Sequence, residues 1–271
     1  MTSTALAPKV AVERPTRSAL GWAIADTKTI AWRNLVTLVR LPQLLVFATV
    51  QPVIFVLMFR YVFGGAIHIK NFPYVDYLMP GVFAQTVAFG AIQTGIGLAE
   101  DLHKGLIERF RSLPMARSAV LAGRTLGDAV RNTLVVLLMT LVGAIIGYRL
   151  HAGLLGALAA LALVVLFGFA FSWISATIGL AVHDVESAQT AGFIWVFPLV
   201  FASSVFVPLQ TMPGWLQAFA RVNPISNMAN AIRGLTIGGP VLLPVLYSLA
   251  WIAGILAVFM PLATRTYRRA V

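Results

Sequence analysis

Charge is segregated along this chain, and that segregation limits the folds open to it more than any motif does. Residues 78–99 and 132–148 carry no Asp, Glu, Lys or Arg. The stretch between them, from Glu100 to Arg131, holds ten of the chain's 29 formal charges (20 Lys and Arg, 9 Asp and Glu). On insertion scales an Asp, Lys or Arg at the centre of a bilayer costs roughly 2.5–3.5 kcal/mol. Forcing the whole island into lipid would cost on the order of tens of kcal/mol, so it sits in water between two buried stretches.

The same pattern recurs. Residues 41–59, 152–182, 188–207 and 241–264 are also free of formal charge, and a helix needs about 20 apolar residues to cross a bilayer. With 59% hydrophobic and 11% charged residues, the composition excludes an ordinary soluble domain, where about a quarter of residues are charged. One all-α, polytopic membrane domain accounts for all 271 residues and leaves no room for a soluble catalytic domain. The absence of Cys excludes disulfides and thiol catalysis. A net charge of +11 would suit nucleic acid in a soluble protein; in this chain it reads as positive charge flanking membrane spans, with no nucleic-acid partner.

Read in order, the chain begins with a polar segment containing Lys9, Arg14 and Arg17, which lacks the apolar core of a cleavable signal peptide. Residues 18–40 mix Trp22, Trp32, Leu35 and Leu38 with Asp26, Lys28, Arg33 and Arg40. That pattern suits an amphipathic helix in the membrane interface or, alternatively, one packed on a soluble partner. Spans are expected at 41–63, 78–99, 116–148, 152–182, 188–207 and 241–264. Pro52 should kink the first. The glycines of the second (81, 90, 95 and 97) allow close helix contact. In the third, Arg124, Asp128 and Arg131 share one face as a ladder of opposite charges. Gly143 and Gly147 have a spacing that serves either packing within the chain or dimerisation. Residues 210–239 are punctuated by Pro213, Pro224 and Gly238-Gly239, with Trp215, Leu216 and Phe219 as an apolar stripe. They read as two short helices in a re-entrant hairpin, tolerated where protein or water covers the free backbone groups.

Six spans put both termini on one side. That side then holds 15 of the 20 Lys and Arg, in the N-terminal segment, the island and the tail of Arg265, Arg268 and Arg269. Arg60, Lys70, Arg149, Arg221 and Arg233 fall on the other. The bias places both termini and the island in the cytoplasm and the hairpin outside.

The chain has no engine of its own. None of its four lysines follows a glycine, so no Walker-type phosphate loop exists. The four histidines (68, 103, 151 and 183) are scattered rather than clustered as metal ligands. The cores of the second, fourth, fifth and sixth spans contain no ionisable relay for protons, and Asp128–Arg131 is the one near candidate. Leu102, Leu106, Ile107, Phe110 and Leu113 could form an apolar helical face ringed by Glu108, Arg109 and Arg111. Such a helix can insert into a groove on a partner; the alternative is a solvated loop whose cations set topology.

Three segments carry a family resemblance: Gln51-Pro52 through Arg60 to Gly64-Gly65-Ala66; Gly105-Leu106-Ile107-Glu108-Arg109-Phe110-Arg111-Ser112-Leu113-Pro114-Met115-Ala116-Arg117; and Pro213-Gly214-Trp215-Leu216-Gln217 with Asn223-Pro224. In these the chain resembles the ABC-2 type permeases, the membrane subunits of ATP-binding-cassette exporters, most closely the daunorubicin/doxorubicin-resistance branch. The resemblance runs from about Ala31 to Ala270. It implies a six-helix permease in the cell membrane, paired with an identical or paralogous permease and with two cytoplasmic ATPase subunits that bind ATP and Mg. This chain would hold no cofactor and catalyse nothing. Residues 100–114 would be the coupling segment, with Asp101, Lys104, Leu106, Ile107, Glu108, Arg109, Phe110, Arg111 and Leu113 against the ATPase. The N-terminal helix would lie in the interface among membrane lipid, and the hairpin over the exit. Expected cargoes are drugs, polyketides, lipids or glycans. A proton-coupled multidrug antiporter is the competing expectation.

Overall fold

The structure, a computed structural model, describes residues 27, 29, 36, 40, 43–65, 67, 69, 72–105, 117–182 and 184–270. Among these residues every regular element is helical, as the sequence requires. The helix expected over 18–40 lies outside them except for Thr27, Thr29, Val36 and Arg40, which are helical. Eight helices are defined here: α1 (Gln43–Leu57), α2 (Tyr74–His103), α3 (Arg117–Ile145), α4 (Gly153–Val182), α5 (Val185–Phe201), α6 (Gly214–Val222), α7 (Pro224–Thr236) and α8 (Leu242–Ala270). A π-helical turn, Met58–Phe63, continues α1. Pro52 lies inside α1 and removes one backbone bond without ending the helix.

Four stretches are long and apolar enough to cross a membrane: Tyr74–His103, Leu121–Ile145, Gly153–Val182 and Leu242–Arg268. Two apolar helices are shorter, Ala48–Phe63 and Val185–Phe201. Local chemistry sets the ends. Pro73 precedes α2 with ψ 143° and starts the helix at Tyr74, four residues before the charge-free run. Asp184 caps α5 by accepting from the Ser187 N–H at 2.8 Å, which begins that helix at Val185 rather than 188. At its other end α5 stops at Phe201, and residues 202–207 are not helical, where the span was expected to run on to Val207. Pro198 sits within the last turn, and the Asn223 amide takes the carbonyls of Leu199 and Ala202 that further helix would have used.

Helix α2 is the hub. It packs against α3, α4, α5, α7 and α1, and 78% of its most apolar window is buried, against 17% for α8 on the periphery. The closest crossing is with α4. A Cβ on Gly95 would lie 2.5 Å from the Ser175 carbonyl oxygen, and one on Gly179 would collide with the Gly95 carbonyl, so small residues set this approach. Within the chain, Gly143 faces Met79, and Gly147 is a turn residue with φ +104°.

Outward faces are apolar. Leu134, Leu137, Leu141 and Ile145 on α3, with Leu242, Leu243, Leu246 and Val258 on α8, are exposed. Contiguous apolar surface of this kind fits lipid rather than water. In α6, Trp215, Phe219 and Val222 share one exposed face, as an interfacial helix requires.

Candidate functional site

The charged island occupies one end of the bundle. There α2 closes on Gly105, whose φ of +63° places it in the left-handed region that ends helices. The Lys104 and Gly105 N–H groups donate to the carbonyls of Glu100 and Leu102, both at 3.0 Å. The exposed Lys104 ammonium bonds Glu100 one turn back, and this bond pushes its pKa up. Asp101 points the other way. Its carboxylate takes a hydrogen bond from Arg124 of α3 at 2.5 Å, with both side chains four-fifths or more buried (20% and 15% exposed).

Below that pair runs a polar seam. Thr94 of α2 donates its hydroxyl to Asp128 Oδ2 at 2.6 Å. Asp128 also pairs with Arg131 at 3.3 Å, and Arg131 Nη2 donates to the Gly90 carbonyl at 2.7 Å. Gly90, Thr94, Gly97 and Asp101 lie on one face of α2, facing Arg131, Asp128 and Arg124 on α3. A Cβ at Gly97 would occupy the space of the Arg124 guanidinium, so this glycine lets the cation lie on the α2 backbone. The expected ladder is therefore real in part. Asp128 and Arg131 pair within α3, but Arg124 crosses to α2 instead of joining them. Every carboxylate and cation in the seam has an opposite charge or a helix carbonyl to meet, and the two helices flanking residues 106–116 are tied to one another.

Of the residues expected to touch an ATPase, Asp101 and Lys104 are described. Leu106, Ile107, Glu108, Arg109, Phe110, Arg111 and Leu113 lie outside the described residues. Asp101 is committed to Arg124, and Lys104 is exposed. Among the described residues no group of three or more His, Asp or Glu could hold a metal ion.

A second polar constellation, not anticipated, fills the opposite end. Arg233 of α7, which the charge count assigned only to the side opposite the island, is 8% exposed. Its Nε donates to the Tyr77 carbonyl (3.0 Å), Nη1 to Asn230 Oδ1 (2.9 Å) and Ser204 Oγ (3.3 Å), and Nη2 to the carbonyls of Ser204 (2.7 Å) and Val205 (3.1 Å). The guanidinium also lies 3.6 Å from the Tyr77 ring centroid. Asp76, in the first turn of α2, is 1% exposed and accepts from the Arg149 N–H at 3.0 Å, with His151 Nδ1 3.9 Å away. One signal in the sequence could have found Arg233. It is the lone charged residue between Arg221 and Arg265, and a lone cation in apolar surroundings calls for a buried partner.

The profile of the family described as ABC-2 type transporter matches residues 25–237. A daunorubicin resistance ABC transporter permease protein of Streptomyces coeruleorubidus is 38% identical over 256 residues, covering 94% of this chain and 89% of that protein. A Mycobacterium tuberculosis protein, named a probable doxorubicin resistance ABC transporter permease, is 33% identical over 232 residues, covering 82% of this chain and 81% of its own. A second doxorubicin resistance permease of that organism is 30% identical over 161 residues, 59% of this chain and 55% of that protein.

Proposed function

The chain belongs to the ABC-2 type transporter family, in its daunorubicin and doxorubicin resistance branch, and from that premise we propose that it is the membrane subunit of an ATP-driven exporter. It is a multi-pass membrane protein. In this reading α1 with its π turn and α5 also cross the bilayer, making six spans. The 17 residues of α5 rise about 26 Å at 1.5 Å per residue, and the non-helical 202–207 completes the crossing. Both termini and the island face the cytoplasm, as the distribution of Lys and Arg directs. A separate subunit binds and hydrolyses ATP with Mg, and a second permease, identical or paralogous, completes the transporter. The cargo is hydrophobic or amphiphilic, in keeping with a largely apolar interior in which Asp76, Asp101, Asp128, Arg131 and Arg233 are already engaged.

The observation that carries this reading is the seam between α2 and α3. Residues 106–116 leave Gly105 and return at Arg117, and immediately behind them Asp101 is tied to Arg124, then Thr94 and Gly90 to Asp128 and Arg131. A force on the island cannot be absorbed by separating its two helical feet. It passes into α2, the hub against which α3, α4, α5 and α7 pack. Transport follows when the cytoplasm-facing and outward-facing states differ in their contacts with nucleotide and cargo. The proton-antiporter reading gains nothing from the structure, because Asp128 is held by Thr94 and Arg131.

The test is association and coupling. Glu108→Ala and Phe110→Ala are expected to reduce copurification with the ATPase subunit, or export per ATP hydrolysed, at unchanged membrane expression. Wild-type association and export in both would move the contact away from residues 100–114.

A further inference from the structure

The stretch that follows α5 is backbone without secondary structure, yet Ser203, Ser204 and Val205 are each 1% exposed or less. Four of its carbonyls, those of Ala202, Ser204, Val205 and Phe206, are held by side chains from other elements, as is that of Leu199 in the last turn of α5. Asn223 Nδ2 donates to Leu199 and Ala202 (2.7 and 3.1 Å), the Tyr77 hydroxyl and Arg233 to Ser204 (2.9 and 2.7 Å), Arg233 to Val205 (3.1 Å) and the Tyr74 hydroxyl to Phe206 (2.7 Å). The Ser204 N–H donates to Ser226 Oγ at 2.9 Å. Buried backbone groups of this kind are satisfied internally or wetted, and no third choice exists at membrane depth.

Arg233 is the centre of this set. All five of its N–H donors are used, three of them on Ser204 and Val205. No carboxylate among the described residues pairs with it. It is therefore neither a free cation awaiting a ligand nor half of an ion pair. It is a fork that grips backbone dipoles, with the Tyr77 ring beneath it. The grip joins three elements, since Arg233 stands on α7, Ser204 and Val205 follow α5, and Tyr74 and Tyr77 open α2. The far end of α2 carries Asp101, so one 30-residue helix, about 45 Å long, connects the island to this contact.

We propose that Arg233 is the latch of an outer gate, a positioning residue that holds residues 202–206 closed against α2 until movement of α2 withdraws Tyr74 and Tyr77. The proposal rests on the exporter reading, in which this end faces outward. Release exchanges the dry contacts of the carbonyls for water, so the segment has two discrete states rather than a graded one. Lys in place of Arg233 keeps the charge but has three donors and no fork, and it cannot hold Tyr77, Ser204 and Val205 together.

The chain has no Cys, so Ser203→Cys supplies a single reporter beside the latch. In sealed membranes bearing the complex without nucleotide, a membrane-impermeant maleimide applied from outside is expected to label this variant slowly. Combined with Arg233→Lys it should label faster by about tenfold or more, the change expected when one or two charge-assisted hydrogen bonds are lost. Ser204→Ala, which removes one acceptor and leaves Arg233 in place, should give a smaller rise, and copurification with the ATPase should stay at the wild-type level. Equal labelling with Arg or Lys at position 233 would overturn the latch. If Arg233→Lys does not reach the membrane, Ser204→Ala and Tyr77→Phe decide, and no rise in either overturns it. This readout requires no transport. Loss of ATP-driven export with the labelling pattern intact would therefore count against the exporter reading and not against the latch.

Discussion

Arg124 shows how a single contact changes what a residue is for. Along α3 it belongs with Asp128 and Arg131; in the fold it leaves them for Asp101 on α2, lying in the notch at Gly97. Arg124→Gln would strand a largely buried carboxylate and is expected to destabilise the protein by about 1–3 kcal/mol, read as a lowered Tm in detergent. The double reversal Asp101→Arg with Arg124→Asp should recover part of that loss, while equal Tm values for wild type and Arg124→Gln would contradict the pairing. Asp184 gives a pH-dependent counterpart. The Ser187 N–H at the start of α5 holds its carboxyl below the ordinary value of 3.8. A depressed pKa contributes stability above that value, and the contribution is lost as pH falls through the lowered range. Hydrogen-exchange protection of the Ser187 amide, corrected for intrinsic rates, should drop over that acidic window in wild type but not in Asp184→Asn. The same pH dependence in both would show that the cap does not act there. Arg124, Asp128 and Arg131 could be picked out as a polar set from their spacing, but Asp101 as the partner of Arg124 could not. For Arg233 the sequence offers only its isolation among apolar residues, and for Asp76 no signal, because most of their partners are backbone groups 28 to 156 residues away.

At the scale of elements, charge-free length and helix-end chemistry made most helices readable. The charged first turns of α3 pack largely buried against α2, whereas the two short helices at Gly214–Val222 and Pro224–Thr236 and the tight glycines of α2 follow from side-chain chemistry alone. The end of α5 does not. Residues 202–207 are as apolar as the helix before them, and they leave it because Asn223, Tyr74, Tyr77 and Arg233, all distant in sequence, offer their carbonyls better partners. The glycine crossing of α2 and α4 can be tested directly. Gly179→Ala should cost about 1–3 kcal/mol of stability, since the added methyl meets the Gly95 carbonyl, a rigid backbone atom. Gly254→Ala on α8, where nothing lies within 4 Å of the added carbon, should be neutral or stabilising by up to about 1 kcal/mol. Thermal unfolding of the two variants in the same detergent checks the pair; equal effects would contradict the packing described.

Across the whole molecule, the two polar constellations stand at opposite ends of one buried helix, with an apolar body between them. The island end is tied by one ion pair, Asp101 with Arg124, and by hydrogen bonds from Thr94 to Asp128 and from Arg131 to Gly90, all between α2 and α3. The opposite end is closed by an arginine on carbonyls, a contact that can be broken without leaving a carboxylate stranded. The chain carries no phosphate loop, so in this account the work done at the second end enters at the first, from another subunit. The most direct measurement is transport by the permease purified with its ATPase and sealed into vesicles with the island side outward. External ATP should drive accumulation of a hydrophobic fluorescent cargo in the lumen, a non-hydrolysable analogue should abolish it, and an imposed pH gradient alone should give none. Accumulation that persists without ATP, or that a pH gradient drives by itself, would contradict the account.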